Sequence, residues 1–425
     1  MRTIRMAVLS TLAAGALAAA QAPPPSTIVL VGARLIDGTG RPPIEQSLVV
    51  IRGDRIQNIA TMPEPGTIPP DAERIDVRGR TILPGFVNAH GHVGDTSGLK
   101  AGPEFYTREN LSRQLALYAG YGVTTVYSLG GDGPAGLALR DARPADGARL
   151  FVAGPVITAT TAPAAAAAVD EIAATGVDWL KFRVDDNLGA STKMPKEAWK
   201  AVIDRGHAKN VPVAAHIFYL DDAKDLLREG IDLIAHSVRD RAVDDEFIAL
   251  ARARDVCVVP TLMREVSTFV YESTPAFFGD EFFLRRADAA AIAQLKDPAR
   301  QQRMRSSASA QKYKAALEVA SANVKRLKDA GVRIALGTDS GPPARFQGYF
   351  EHLELERLVK AGLTPMEAIV AATGDAGRCM KAAGGLGTIA AGAPADLVVY
   401  AGDPSKDIRN TRTIESVWIA GRRVP

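Results

Sequence analysis

Eight short apolar runs, most of them followed by a longer amphipathic stretch, constrain this chain more than any other feature of its sequence. The runs are Thr81 to Val87, Gly122 to Tyr127, Arg149 to Ala153, Trp179 to Phe182, Pro212 to Ala215, Leu233 to Ala235, Val256 to Pro260 and Val332 to Gly337. Between them, segments such as Lys196 to Lys209 and Asp221 to Glu229 have the length and pattern of helices. This rhythm predicts an α/β fold of the TIM type, a (β/α)8 barrel with helices outside parallel strands. One connection, between Thr261 and Gly331, is unusually long. It carries Phe269, Tyr271, Phe277, Phe278, Phe282 and Phe283, then a charged helical run from Ser309 to Asp329. Two readings of its opening part, residues 262–308, stay open: a lid over the barrel mouth, or a surface excursion packing its own aromatics.

The chain ends read differently. Thr27 to Val31, Leu35 to Gly38 and Ser47 to Ile51 are β-rich runs broken by Gly, Asp and Pro, and Asp396 to Tyr400 with Ser416 to Ala420 match them at the other end. Either set alone leaves exposed strand edges, so the two are expected to join in one small β-sandwich. The division expected is a signal at 1–22, β-sandwich at 23–82, barrel at 83–385 and β-sandwich again at 386–425. The signal rests on a basic start, Met1 to Arg5, an apolar run from Met6 to Ala20 and the small-residue exit Ala20-Gln21-Ala22. The mature protein is then expected to be periplasmic or secreted, with no membrane attachment once the signal is removed.

With 425 residues, 47% of them hydrophobic, the chain can bury a large core without covalent staples. Its two cysteines are far apart, and Cys257, inside Val256 to Pro260, reads as a small core hydrophobe. A net charge of only +3, with Lys and Arg spread along the chain, gives no reason to expect a nucleic-acid partner.

In barrels of this type functional groups collect at the carboxyl ends of the strands. Those ends hold His90-Gly91-His92, Asp178-Trp179-Leu180-Lys181, Ala215-His216, Ala235-His236 and Gly337-Thr338-Asp339-Ser340, so four of the six histidines fall there. Residues i and i+2 of an extended segment point the same way, which lets His90 and His92 grip one ion. Imidazole and carboxylate suit Zn²⁺ and related divalent metals. Lys181 is the unexpected member, since a lysine among apolar strand residues is an expensive buried cation. A buried ion pair, snorkelling to the rim, or carboxylation by CO₂ would each explain it, and spacing does not choose between them.

The chain resembles the amidohydrolase superfamily, in particular its imidazolonepropionase-related branch of Xaa-Pro dipeptidases, metallo-carboxypeptidases and ochratoxin amidases. The resemblance is carried by Leu83 to His92, Gly122 to Val126, Gly176 to Lys181, Ala235-His236-Ser237, Gly337 to Ser340, Ala361 to Ala368 and Gly392 to Val398. It implies a two-metal centre, with His90, His92 and Asp339 on one ion and His216 and His236 on the other. Lys181, carboxylated, would bridge the two ions together with a hydroxide. It further implies that the hydroxide attacks an amide or peptide bond while Asp339 acts as general base and then acid. The expected substrate is a small molecule of dipeptide or N-acyl amino-acid type. Many peptidase-like members have Arg-Asp after the second strand, and this chain has Tyr127-Ser128 instead.

Tyr219, Arg264 and His352 are the substrate-binding candidates, with packing or surface roles as their alternatives. A mononuclear deaminase or cyclic-amide hydrolase is the second reading; it lacks support because Ile217, Phe218 and Tyr219, and no Glu, follow His216. A non-catalytic metal-binding protein is the third, and homo-oligomer formation stays open.

Overall fold

The computed structural model describes residues 27–62, 68–144 and 146–425; the segment read as an export signal lies outside them. Strands from both ends of the chain share one sheet. Thr27–Leu35 pairs antiparallel with Ile44–Arg52, which pairs with Arg55–Thr61. On its other edge it meets Thr81–Pro84, and that strand pairs antiparallel with Leu397–Tyr400. Ile414–Ile419 and Arg422–Val424 extend the same sheet. Alternation sends Leu30, Val49 and Ile51 into one core and Val29, Leu48 and Val50 into another, so the middle of this sheet is buried on both faces.

The run Thr81 to Val87, expected to be one strand, is broken at Gly85. Thr81–Pro84 belongs to the sheet of the chain ends and Phe86–Gly91 to the central region. Only glycine fits at the crossing, because a Cβ there would stand 2.1 Å from the Thr124 side chain.

In the centre, Phe86–Gly91, Val123–Ser128 and Arg149–Val152 form a three-stranded parallel sheet. Leu180–Arg183, Val213–His216, Leu233–Ala235 and Cys257–Val259 form a four-stranded one, and an Ile157–Phe182 bridge lies between the two. The eighth run is not a strand. Leu336 N donates to Ala371 O at 2.8 Å and not to a neighbouring strand. A Val258–Ile334 bridge and a 2.9 Å hydrogen bond from Ala89 N to Leu336 O hold it between its neighbours. The described pairings are thus two parallel sheets and an irregular eighth segment, where one closed ring of strands was expected. A single core cluster still takes Val87, Tyr127, Ala153, Trp179, Ala214, Leu233, Cys257 and Ala335 from these eight segments, together with Ala376, Cys379 and Met380.

Cys257 is not a free core residue. It is disulfide-bonded to Cys379, 122 positions away, with the Cα atoms 5.7 Å apart. The long connection folds into short helices and then Ala308–Asp329. Its Tyr271, Phe278 and Phe283 are buried, and its rings pack on one another and on Phe346, Tyr349 and Phe350. The structure therefore favours the excursion that packs its own aromatics. Among the described residues no helix is long and apolar enough to cross a membrane.

Candidate metal centre

The strand-end groups converge. His92 Nε2 lies 2.8 Å and His90 Nε2 3.7 Å from Asp339 Oδ1. Lys181 Nζ is 3.2 Å from His90 Nε2. The His236 ring centroid is 4.7 Å from that of His90 and 4.1 Å from that of His216. One donor atom each from His90, His92 and Asp339 lies within 4.8 Å of the others, a spacing that a single metal ion can span. Two of these residues hold left-handed backbone, His236 at φ 73° and Asp339 at φ 54°, as does Thr261 at φ 51° beside them. Such conformations cost free energy in non-glycine residues and persist where the surroundings over-determine them.

The nitrogens that face away from the cluster test whether the set fits metal ions. His92 Nδ1 is 2.9 Å from Gly130 O, His216 Nε2 3.2 Å from Asp185 Oδ2, and His236 Nδ1 2.6 Å from Thr261 Oγ1. Each contact leaves the other ring nitrogen, with its lone pair, toward the cluster. Outer partners of this type are what fix the orientation and tautomer of metal-ligating histidines. Burial, with the charge of Lys181 next, holds His90 well below the ordinary histidine range, and burial likewise lowers His236 and brings His216 to about 3. Burial also lowers His92, but its hydrogen bond and charge contact with Asp339 outweigh this and raise it. Burial brings Lys181 down to about 8, so its neutral amine is accessible. Three neutral imidazoles, a carboxylate and a lysine of lowered basicity are a donor set that fits divalent cations.

Below the cluster lies a polar network that sequence reasoning missed. Asn88 Oδ1 accepts from His90 N at 2.9 Å, and Asn88 Nδ2 donates to Glu351 Oε1 at 2.6 Å. Thr338 and Ser340, on either side of Asp339, donate to the same oxygen at 2.8 and 2.7 Å. Glu351 is wholly buried, and burial pushes its carboxyl up to about 7. Arg345 was also missed; its Nη1 lies 2.5 Å from Asp339 Oδ2. Its place six residues after Asp339 was the one signal available.

Residues 81–424 match the amidohydrolase family. The chain belongs to that family. This amidohydrolase is 28% identical over 335 residues to an uncharacterized protein of Mycobacterium tuberculosis (strain ATCC 25618 / H37Rv), covering 77% of this chain and 80% of that one. Its fold is similar to a Xaa-Pro dipeptidase crystallised with methionine in the active site (TM-score 0.75, 22% identity, 94% of this chain and 99% of that one). It is similar too to an A. niger ochratoxinase (TM-score 0.73, 19% identity, 95% and 97%).

The three substrate-binding candidates of this amidohydrolase fare differently. His352 is not brought to the cluster. Its Nδ1 is 2.9 Å from Thr411 Oγ1 and its Nε2 2.9 Å from Tyr121 O, so it ties helix Tyr349–Lys360 to the C-terminal segment. Tyr219 donates its hydroxyl to Asp186 Oδ1 at 2.8 Å, and Lys193 Nζ sits 4.1 Å from its ring. Arg264 is buried, with Nη1 3.1 Å from Glu265 Oε1 and its guanidinium 4.4 Å from the Tyr313 ring.

Proposed function

We propose that this chain is a metal-dependent hydrolase that cuts an amide or peptide bond in a dipeptide-like or N-acyl amino-acid substrate. The observation that carries the reading is the convergence of His90, His92, His216, His236, Lys181 and Asp339, with three of the imidazoles held from behind. His90, His92 and Asp339 would hold one divalent ion, zinc by donor type, and His216 and His236 a second. Lys181, whose Nζ lies 3.2 Å from His90 Nε2, would serve both ions once CO₂ has converted its amine to a carbamate. When bound, such ions polarise a carbonyl and lower the pKa of water toward neutrality. Asp339 takes the proton of the attacking water on its carboxylate and returns it to the departing nitrogen. The network from Asn88 through Thr338 and Ser340 to Glu351 keeps that carboxylate aimed.

The fold that goes with this reading is a barrel of eight β/α units, supported by the core cluster to which all eight contribute. Export is supported by the Cys257–Cys379 disulfide, a bond that persists in oxidising compartments. The decisive experiment is Asp339→Asn on zinc-loaded protein. Turnover of an N-acyl amino acid should fall by about 10²–10⁴ while metal analysis still finds close to two ions per chain. Full activity would remove Asp339 from the reaction, and a single ion in the unaltered protein would remove Lys181 as a bridge.

A further inference from the structure

Arg345 is held by a carboxylate that the proposed reaction calls away. The turn from Gly341 to Arg345 closes on itself, with Gly341 N donating to Arg345 O and Arg345 N to Pro342 O, both at 3.0 Å. It sets Arg345 Nη1 2.5 Å from Asp339 Oδ2, while Nε donates to Ser267 Oγ at 3.1 Å. The side chain keeps 18% of its surface exposed and borders a cavity shared with Thr96, Arg113 and Asp288. Two buried guanidiniums near the cluster are already matched: Glu265 Oε1 lies 3.1 Å from both Arg239 Nε and Arg264 Nη1. Among the described residues, Asp339 is the one carboxylate in ion-pair range of Arg345.

A carboxylate that turns toward a bound cation gives up much of its attraction for a guanidinium, and cation and guanidinium repel each other. Arg345 would then stand at the rim of the site, largely buried, with no counter-charge, which is costly until another anion arrives. We propose that Arg345 is a specificity-determining residue that binds a free carboxylate carried by the substrate close to the amide being cut. The planar guanidinium, with parallel N–H groups, matches a carboxylate in a way a lysine does not. The inference rests on the amide-hydrolase reading and assigns the residue that holds the free carboxylate such substrates carry. It also moves carboxylate recognition away from Arg264, whose charge Glu265 already answers.

The test uses zinc-loaded protein and two pairs of probes. N-acetylphenylalanine and N-acetylphenethylamine differ only in the carboxylate and report on cleavage. A reduced-amide dipeptide isostere and its decarboxylated twin resist cleavage and report on binding by calorimetry. The expected result is at least tenfold preference for the acid member in both assays. In Arg345→Gln that preference collapses, through KM rather than kcat, and Arg345→Lys keeps part of it, with zinc content unchanged in both. An unchanged ratio in Arg345→Gln overturns the inference. So does an equal fall for both members of a pair, which would make Arg345 a positioning residue for Asp339. If neither amide is cut yet isostere binding still depends on Arg345, the amide-hydrolase reading fails and only carboxylate binding by Arg345 stands. If amides are cut without regard to the carboxylate, the reverse holds.

Discussion

Asp185 stands directly behind His216. Its Oδ2 lies 3.2 Å from His216 Nε2, and its side chain is fully shielded from water. Burial by itself would raise the Asp185 carboxyl, but the hydrogen bond with His216 and the charge of Arg183 hold it well below its ordinary range. An ionised acceptor at this place fixes the proton of His216 on Nε2 and leaves the Nδ1 lone pair open to a cation. Asp185→Asn should weaken metal binding by about 10–100-fold with no change in circular dichroism, as measured by competition with a chelator. Metal affinity equal to that of the unaltered protein would show that His216 does not depend on this contact, or does not bind metal. The candidate ligands themselves were legible in the sequence, because only a few residue types bind metal and strand ends are where barrels place them. Asp185 was not, since a carboxylate four residues past Lys181 looks like any loop aspartate until the fold turns it inward.

Short elements around the cluster depend on contacts that no local pattern announces. Helix Leu262–Ser267 starts directly after Thr261, the residue that holds His236, and it carries Arg264 and Glu265. Its first two backbone N–H groups, from Leu262 and Met263, donate to Glu354 at 2.8 and 2.6 Å. Glu354 belongs to helix Tyr349–Lys360, some ninety positions along the chain, and is fully buried. In the sequence it reads as one more acidic residue of a charged helix. Glu354→Ala would leave both N–H groups buried and unpaired, at about 1–3 kcal/mol for each. The denaturation midpoint should fall accordingly, and Glu354→Gln, which keeps one acceptor, should fall between the two. An unaltered midpoint in Glu354→Ala would mean that the helix start finds other partners. The same limit explains the eighth segment. Its apolar run was visible, but the hydrogen bond that takes Leu336 N to Ala371 O was not.

Across the whole molecule, periodicity conveyed the order of the β/α units and the partnership of the chain ends, since both are written in runs of adjacent residues. Contacts between distant positions were hidden, and the disulfide is the largest of them. Cys257 lies in the fourth strand of the second parallel sheet and Cys379 at the end of helix Gly374–Cys379, shortly before the chain returns to its first sheet. The bond therefore fastens the central core to the segment that leads back to Leu397–Tyr400. Closing a loop with a sequence separation of 122 removes disorder from the unfolded chain worth on the order of 4–5 kcal/mol in the loop-entropy account. Both sulfurs are buried among Val87, Leu233 and Ala335, so reductant should reach them only when this core opens. Alkylation of the folded protein is expected to modify neither cysteine, and alkylation after unfolding and reduction both. The Cys257→Ser, Cys379→Ser double variant should unfold at lower denaturant while retaining, at low temperature, the metal content and the turnover proposed for the unaltered protein. Loss of activity in the folded double variant would instead make the bond part of what holds the cluster in place. A free thiol titrating in the native protein would show that the bond is not formed at all, and would withdraw the support it lends to export.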